Sequence, residues 1–154
     1  MYKRQVSFDD LEKGIRYAES LNGELMKNPE SSASGLYQQL FDDIDYDGTR
    51  DEFIADTEYQ KELFRKRAHG EMEGVPGLIN NGIELYEEYK NVDHGMTPLE
   101  IAALSNMLGR DGTRQYIGYH IRDGRSLESV FPKLYGENAK YTNKTPGEYL
   151  KKFR

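Results

Sequence analysis

The sequence predicts a mainly α fold, in which about seven or eight short helices surround one core. Apolar residues recur at helical spacing along most of the chain, and three T-x-x-E capping boxes mark helix starts. No stretch alternates convincingly between apolar and polar residues, as a half-buried strand would. With 154 residues, the chain is expected to form a single domain with one functional site.

The first predicted helix runs from Phe8 to about Leu21, with Ser7 at the N-cap position. Its apolar face is formed by Phe8, Leu11, Ile15 and Ala18. Residues 22 to 33 are predicted to form a loop, because an Asn-Pro pair disfavours helix in the residue before the proline. Glu19 therefore lies in the last helical turn, one position beyond the apolar face.

Two helices are predicted between this loop and the middle of the chain. Residues 36 to 44 place leucine and isoleucine side chains four apart, which predicts a short amphipathic helix. Thr49 and Glu52 form the first capping box, which opens a charged helix to about residue 68. A glycine-rich turn over residues 69 to 74 ends that helix.

The second half of the chain is predicted to be helical between its turns. The second capping box, Thr97 with Glu100, and the third, Thr145 with Glu148, each have proline at the first helical position. Helices are predicted over residues 76 to 89, 98 to 108, 114 to 122, 126 to 131 and 146 to 153, with a turn at 109 to 112 and a polar loop at 134 to 144.

Composition and charge exclude several classes of protein. The chain has no cysteine, so it has no disulfide, no thiolate nucleophile and no cysteine-ligated zinc. Its net charge is -6 and its Lys and Arg residues are scattered, which argues against nucleic acid as the principal partner. We find neither an export signal nor an apolar run of about 20 residues, and we expect no membrane partner.

We expect no metal site and no cofactor. His69, His94 and His120 are far apart in sequence, and none has a second histidine four positions away. The run from Asp43 to Gly48 imitates the start of a calcium loop, but Ile54 stands at the twelfth position, where such a loop needs glutamate. A polar turn is the preferred interpretation, with calcium binding as a lesser alternative.

Four segments carry a pattern that helix formation alone does not explain. They are Glu19-Ser20 at a helix end, Ala33 to Gln38, Ile101 to Gly109 and Thr145 to Phe153. In these segments the chain resembles goose-type lysozymes and soluble lytic transglycosylases, in particular the short versions encoded by bacteriophages. The resemblance implies a lysozyme-like fold over residues 1 to 154 and cleavage of the β-1,4 bond between MurNAc and GlcNAc in peptidoglycan.

The resemblance implies that Glu19 is the single catalytic acid. Such an acid has to deliver a proton near neutral pH from a poorly solvated site. No second carboxylate acts as nucleophile in that family, because the sugar's own N-acetyl group and 6-hydroxyl carry out the displacement and leave a 1,6-anhydro end. The residues implied in substrate binding are Ser20, Ser34, Gly35, Tyr37, Gln38, Asn106 and Tyr149.

The chain departs from the family's pattern after Glu19-Ser20, where Leu21-Asn22 replaces the common aromatic or glycine residues, and in the segment Ile101 to Gly109. Ser105 stands where the family usually has tyrosine before the asparagine, and Met107 and Leu108 replace small residues. These departures favour an alternative function, that of a catalytically weak or inactive lysozyme-like structural subunit of a phage tail, baseplate or neck. Taken alone, Glu19 also fits an ordinary solvated acid at a helix end.

The expected partners follow from the same resemblance. The substrate would be the glycan strand of peptidoglycan, and the protein partners would be phage structural proteins. A free wall hydrolase is usually basic or carries a wall-binding module, whereas this chain is acidic. We therefore expect a location in the virion, at the tail or baseplate, after synthesis in the host cytoplasm. A free endolysin is a third alternative.

Overall fold

The computed structural model describes residues 6–20, 23, 26–28, 31–136 and 145–153. Within these ranges the α-helices are α1 (Phe8–Ser20), α2 (Arg50–Ala55), α3 (Thr57–His69), α4 (Leu78–Glu88), α5 (Pro98–Gln115), α6 (Leu127–Val130), α7 (Pro132–Tyr135) and α8 (Pro146–Lys151). The predicted mainly α fold is confirmed over the described residues.

Helix α1 forms where it was predicted. Ser7 accepts a hydrogen bond from the backbone N–H of Asp10 at 3.3 Å, as an N-cap residue does. Leu11, Ile15 and Ala18 lie on one face of the helix and are buried in the core. The spacing of apolar residues was sufficient to predict this helix, because one strongly amphipathic face packs against the rest of the chain.

The chain forms a small antiparallel hairpin where a helix over residues 36 to 44 was predicted, so that prediction is wrong. The hairpin comprises β1 (Ala33–Ser34) and β2 (Gln39–Leu40), followed by a 3-10 turn (Phe41–Asp43). Gly35 and Gln38 have positive φ angles of 84° and 50°, in the left-handed region that a right-handed helix excludes. The expectation of no strand is wrong at the same place.

The charged helix predicted from Thr49 to residue 68 is two helices, α2 and α3. The predicted capping box is present, since the Thr49 hydroxyl accepts from the Glu52 N–H at 3.1 Å and Glu52 Oε1 accepts from the Thr49 N–H at 2.8 Å. Asp56 then ends α2, and its carboxylate accepts from the Tyr59 N–H at 3.1 Å. This side-chain bond offers the backbone an alternative to the continuous helix.

The longest helix, α5, begins at the predicted capping box and contains a kink. The Thr97 hydroxyl accepts from the Glu100 N–H at 3.1 Å, and the Glu100 side chain accepts from the Thr97 N–H at 2.9 Å. Gly109 has φ 77° and ψ 172°, which interrupts the helix without ending it. The turn predicted over residues 109 to 112 is therefore reduced to this kink, and a π-helix (Tyr116–Arg122) follows α5.

Two apolar clusters form the core. The first comprises Val6, Leu11, Ile15, Ala18, Leu36, Tyr37, Phe64, Ala68, Leu78, Ala102, Ala103 and Tyr149. The second comprises Leu85, Met96, Ile101, Leu104, Tyr116, Ile117, Phe131 and Leu150. Met107 packs against both clusters. α5 contributes to each cluster and so holds α1 and α8 in one arrangement.

The C-terminal helix α8 forms at the third capping position, where the Thr145 hydroxyl accepts from the Glu148 N–H at 3.2 Å. The polar loop predicted over residues 134 to 144 starts later than expected, because α7 continues to Tyr135. Residues 137–144 of that predicted loop lie outside the described residues. In the described ranges, no helix combines the length and the apolar character that crossing a bilayer requires.

Candidate active site

Glu19 lies where three helices meet. Its Oε2 accepts a hydrogen bond from the Tyr149 hydroxyl at 2.9 Å and another from Asn106 Nδ2 at 3.2 Å. Asn106 Nδ2 is also 3.3 Å from the Tyr149 hydroxyl oxygen. The three side chains come from α1, α5 and α8, so the cluster exists only when those helices are packed together.

The end of α1 is held from both sides of Glu19. Ala18 is buried in the core, and the Ser20 side chain is fully buried. The Ser20 hydroxyl donates to the Leu36 carbonyl oxygen at 2.7 Å and lies 3.1 Å from the Arg16 carbonyl oxygen. It also accepts from the Gly23 N–H at 3.0 Å. Ser20 thus ties the helix end to the hairpin, and Glu19 is left half-buried at the core's edge.

Tyr149 is a buried phenol that acts as a hydrogen-bond donor. Its side chain is packed in the first apolar cluster and tilts against the Phe153 ring, with ring centroids 5.7 Å apart. Burial and the neighbouring charge of Glu19 raise the pKa of Tyr149 well above its ordinary value. The phenol therefore stays protonated, and its O–H remains available to the Glu19 carboxyl group.

The hydroxyl groups of Ser34 and Tyr37 are engaged by other side chains. Arg50 Nε donates to the Ser34 hydroxyl oxygen at 2.7 Å, and that hydroxyl donates to the Ser32 carbonyl at 2.7 Å. The Tyr37 hydroxyl donates to Glu12 Oε2 at 2.7 Å, while its ring stacks on a buried phenylalanine. Both residues are buried, so their described contacts hold the hairpin in place.

The turn between the two strands is built around the Gln60 side chain. Gln60 Oε1 accepts from the Leu36 N–H at 2.7 Å. A Cβ on Gly35 would overlap that same amide group, and its φ of 84° also favours glycine. Gln38 Nε2 donates to the Gly35 carbonyl at 3.0 Å and to the Met26 carbonyl at 3.3 Å. The described contacts of Gly35 and Gln38 therefore stabilise the turn itself.

Of the residues predicted from the sequence, Asn106 and Tyr149 contact Glu19 directly, and Ser20 fixes the helix that carries it. The chain matches no protein-family model, no curated protein and no solved structure. Interpretation of the cluster depends on its own geometry and on the resemblance of the four segments. Ser34 and Tyr37 lie in the adjoining hairpin, where they bind Arg50 and Glu12.

Ser105 faces the interior and not the cluster around Glu19. Its hydroxyl donates to the Ala102 carbonyl at 2.8 Å and accepts from Asn81 Nδ2 at 3.4 Å. The Asn81 side-chain oxygen Oδ1 accepts from Arg110 Nη1 at 2.9 Å. Ser105 therefore forms a buried polar link between α4 and α5.

Arg67, in the last turn of α3, lies behind Asn106. Its Nη2 donates to the Asn106 carbonyl at 3.4 Å. Burial lowers the pKa of Arg67, and the negative charge of Glu19 opposes that shift. Arg67 is therefore within electrostatic range of the cluster. No feature of the sequence pointed to Arg67, because a basic residue in the last turn of a charged helix is ordinarily exposed to solvent and stabilises the helix dipole.

The cluster is suited to proton transfer and contains no metal-ligand set. In the described part of the chain, no group of three or more His, Cys, Asp or Glu side chains could hold a metal ion. A carboxyl group oriented by two donors, beside a buried phenol, is the kind of group that exchanges a proton with a bound molecule. Glu19 is half-buried, and the two donors fix the orientation of its carboxyl group.

Proposed function

We propose that this chain is a lysozyme-like peptidoglycan lytic transglycosylase, with Glu19 as its single catalytic acid. The observation that carries the proposal is the hydrogen bonding of Glu19 to both Asn106 and Tyr149. Two donors on one carboxyl oxygen fix the orientation of the group that the proposed reaction uses. The protein would act as part of a phage particle and open the cell wall locally.

The proposed reaction uses Glu19 twice. First, the protonated carboxyl group donates its proton to the glycosidic oxygen that leaves as the 4-hydroxyl of GlcNAc, while the N-acetyl oxygen of MurNAc attacks the anomeric carbon. The Glu19 carboxylate then removes the proton of the MurNAc 6-hydroxyl, whose oxygen displaces the N-acetyl oxygen. The product is a 1,6-anhydro end, and no water is consumed. The mechanism thus differs from that of glycosidases with two catalytic carboxylates.

Two neighbouring residues have supporting roles in this reaction. Tyr149 orients the Glu19 carboxyl group through its 2.9 Å hydrogen bond and keeps its own proton. Asn106 contacts both groups through Nδ2, and its side-chain oxygen would accept from the N–H of the substrate's N-acetyl group. Both hold the reacting groups in a productive geometry, which is where much of the catalytic gain of such sites originates.

The hairpin that follows α1 would form one wall of the substrate groove. Ser20 joins that hairpin to the helix end beside Glu19, and Gly35 lets the turn pack tightly on Gln60. Ser34, which is buried, and Gln38 would keep this wall in shape through their own hydrogen bonds. Tyr37 would support it from the core side, where its ring is packed.

A structural subunit of a phage tail, baseplate or neck is the second candidate function. One observation favours it: a cavity of about 360 Å³ in the described structure is lined by Glu12 and not by Glu19. A subunit that had lost its substrate groove would keep the helices and the buried contacts of Glu19.

Digestion of purified peptidoglycan tests the two candidates. We expect anhydro-muramyl products, identified by mass spectrometry, from the wild type and none from Glu19→Gln. Glu128→Gln, in an exposed side chain of α6, is the matched control and should retain activity. Hydrated reducing ends that disappear in Glu19→Gln would indicate a lysozyme-type hydrolase. No product from folded wild-type protein would favour the structural subunit.

A further inference from the structure

Arg67 in α3 borders the candidate site, but the reaction proposed above gives it no role. Its Nη2 donates to the Asn106 carbonyl at 3.4 Å, and Asn106 Nδ2 contacts Glu19 Oε2 at 3.2 Å. A single residue therefore separates the guanidinium group from the acid. We propose that Arg67 is a positioning residue that supplies the internal counter-charge of the Glu19 carboxylate, a role that rests on the proposed function for the reaction it serves.

The contacts of Arg67 leave its charge uncompensated at close range. Its Nη2 makes the bond to Asn106, whereas its Nε is buried and has no hydrogen-bond acceptor. In the part of the chain that the structure describes, Arg67 forms no ion pair with a carboxylate. A charge in a partly buried position is costly unless an opposite charge lies nearby. The negative charge of Glu19 favours the charged form of Arg67, against the effect of burial.

Two other cations lie near the end of α1, and each is less suited to this role. Arg16 Nε lies 3.1 Å from Glu12 Oε2, so its charge is already paired. The Lys152 ammonium group donates to the Ala18 carbonyl at 3.3 Å, but the side chain is exposed, so water and salt screen its charge. Arg67 differs from both, because it is half-buried and has no carboxylate in contact.

A fixed cation near Glu19 would serve the first step of the proposed reaction. In that step the Glu19 proton moves to the leaving glycosidic oxygen, the bond from this oxygen to the anomeric carbon breaks, and the carboxyl group becomes negatively charged. The Arg67 charge stabilises this carboxylate as it forms, at a site that is partly shielded from water. Because the folded chain already holds Arg67 in place, no rearrangement is needed during the reaction.

A double-mutant cycle tests the counter-charge without any substrate. Stability is measured by urea denaturation at about pH 8, well above the ordinary titration range of carboxyl groups. Glu19→Gln should raise the equilibrium constant of unfolding, because it leaves the Arg67 charge uncompensated. In the Arg67→Met background this rise should be about fivefold smaller. In the background of Lys66→Met, which removes an exposed charge next to Arg67, it should equal that in the wild type.

The cycle isolates the interaction between the two side chains. Any packing that Arg67→Met loses is lost with Glu19 and with glutamine alike, so it cancels in the comparison. Glutamine also keeps an oxygen that can accept from Tyr149 and Asn106. An equal effect of Glu19→Gln in the wild type and in Arg67→Met would overturn the proposal.

Kinetics on soluble peptidoglycan fragments test the consequence for the reaction. Arg67→Met should lower kcat about tenfold, equivalent to about 1.4 kcal/mol, with little change in KM. Arg67→Lys keeps the charge and should recover most of the rate, whereas Arg67→Gln keeps hydrogen-bond donors without the charge and should not. Lys66→Met is the matched control and should react like the wild type. A change in KM alone, or Arg67→Gln as fast as Arg67→Lys, would overturn the proposed role.

The two experiments together separate the counter-charge from the proposed function. Coupling between Arg67 and Glu19, with no cleavage by the folded wild type, would refute the transglycosylase and leave the counter-charge. Cleavage that requires Glu19, with no coupling and with Arg67→Met as fast as the wild type, would overturn the counter-charge and leave the acid. Coupling without any effect on kcat would confine Arg67 to stability and overturn its part in the reaction.

Discussion

Replacing Gln60 by leucine tests whether the hairpin is held by one buried side chain. Gln60 is completely buried, and its amide makes three hydrogen bonds to backbone groups. Oε1 accepts from the Leu36 N–H at 2.7 Å, while Nε2 donates to the carbonyls of Phe53 at 2.7 Å and Ile54 at 2.9 Å. Leucine fills a similar volume but leaves all three backbone groups without this partner.

The expected cost follows from the burial of those groups. The bond to the Leu36 N–H is buried, and an orphaned backbone group of this kind costs about 1 to 3 kcal/mol, whereas the Phe53 carbonyl keeps its bond from the Asp56 N–H at 3.0 Å. We therefore expect Gln60→Leu to lower the free energy of unfolding by about 1 to 3 kcal/mol. For a chain of this size the melting temperature should fall by at least about 2 °C.

The assay is urea denaturation followed by circular dichroism, with a thermal melt of the same samples. Gln115→Leu removes an exposed glutamine at the end of α5 and should stay within about 0.5 kcal/mol of the wild type. If Gln60→Leu is no less stable than this control, the hairpin is not held by the Gln60 amide. Gln60 then does not position the wall beside Glu19.

Three further predictions concern local features. Asp56→Ala removes the N-cap of α3 and should cost about 1 kcal/mol in urea denaturation, whereas Asp56→Asn should cost much less. Burial raises the pKa of Tyr149, so above about pH 10 the phenol ionises in the unfolded chain but not in the folded one, and the free energy of unfolding should fall. Tyr149→Phe should reduce that fall, as measured by alkaline denaturation. Burial lowers the pKa of His94, so below about pH 6.5 the imidazole takes up a proton more readily in the unfolded chain, and the free energy of unfolding should fall. Acid denaturation should show a smaller fall in His94→Asn than in the wild type.

The helix starts were predictable because their signals are local. At Thr97 and Thr145 the capping threonine, the proline and the glutamate lie within four residues, and both threonines cap their helices as predicted. The reciprocal bond from the glutamate side chain completes the capping box at Thr97, whereas at Thr145 the structure has the threonine bond alone. The hairpin was not predictable in this way. The positive φ of Gln38 is supported by bonds of its amide to Gly35 and Met26, which the apolar spacing of the segment does not encode.

The candidate site also combines residues that the sequence predicted with residues that it did not. Asn106 is 87 residues from Glu19, and Tyr149 is 130 residues away, so no local pattern predicts that they meet. Their resemblance to known segments was the sole reason to expect it. Arg67 and Gln60 had no such signal, because their significance arises from burial against distant backbone groups. The catalytic role of the cluster stays a prediction until cleavage is measured.

Arg50 ties the first strand of the hairpin and the residues before it to the first residue of α2. Its Nη2 donates to the carbonyls of Asn28 and Ser31 at 2.8 Å and of Ala33 at 3.0 Å, besides the bond from Nε to Ser34. Segments held by few contacts open without global unfolding, so amide exchange in β1 should be sensitive to this one guanidinium group. Any molecule that enters beside Glu19 would meet a hairpin whose first strand is cross-linked to α2 by that group.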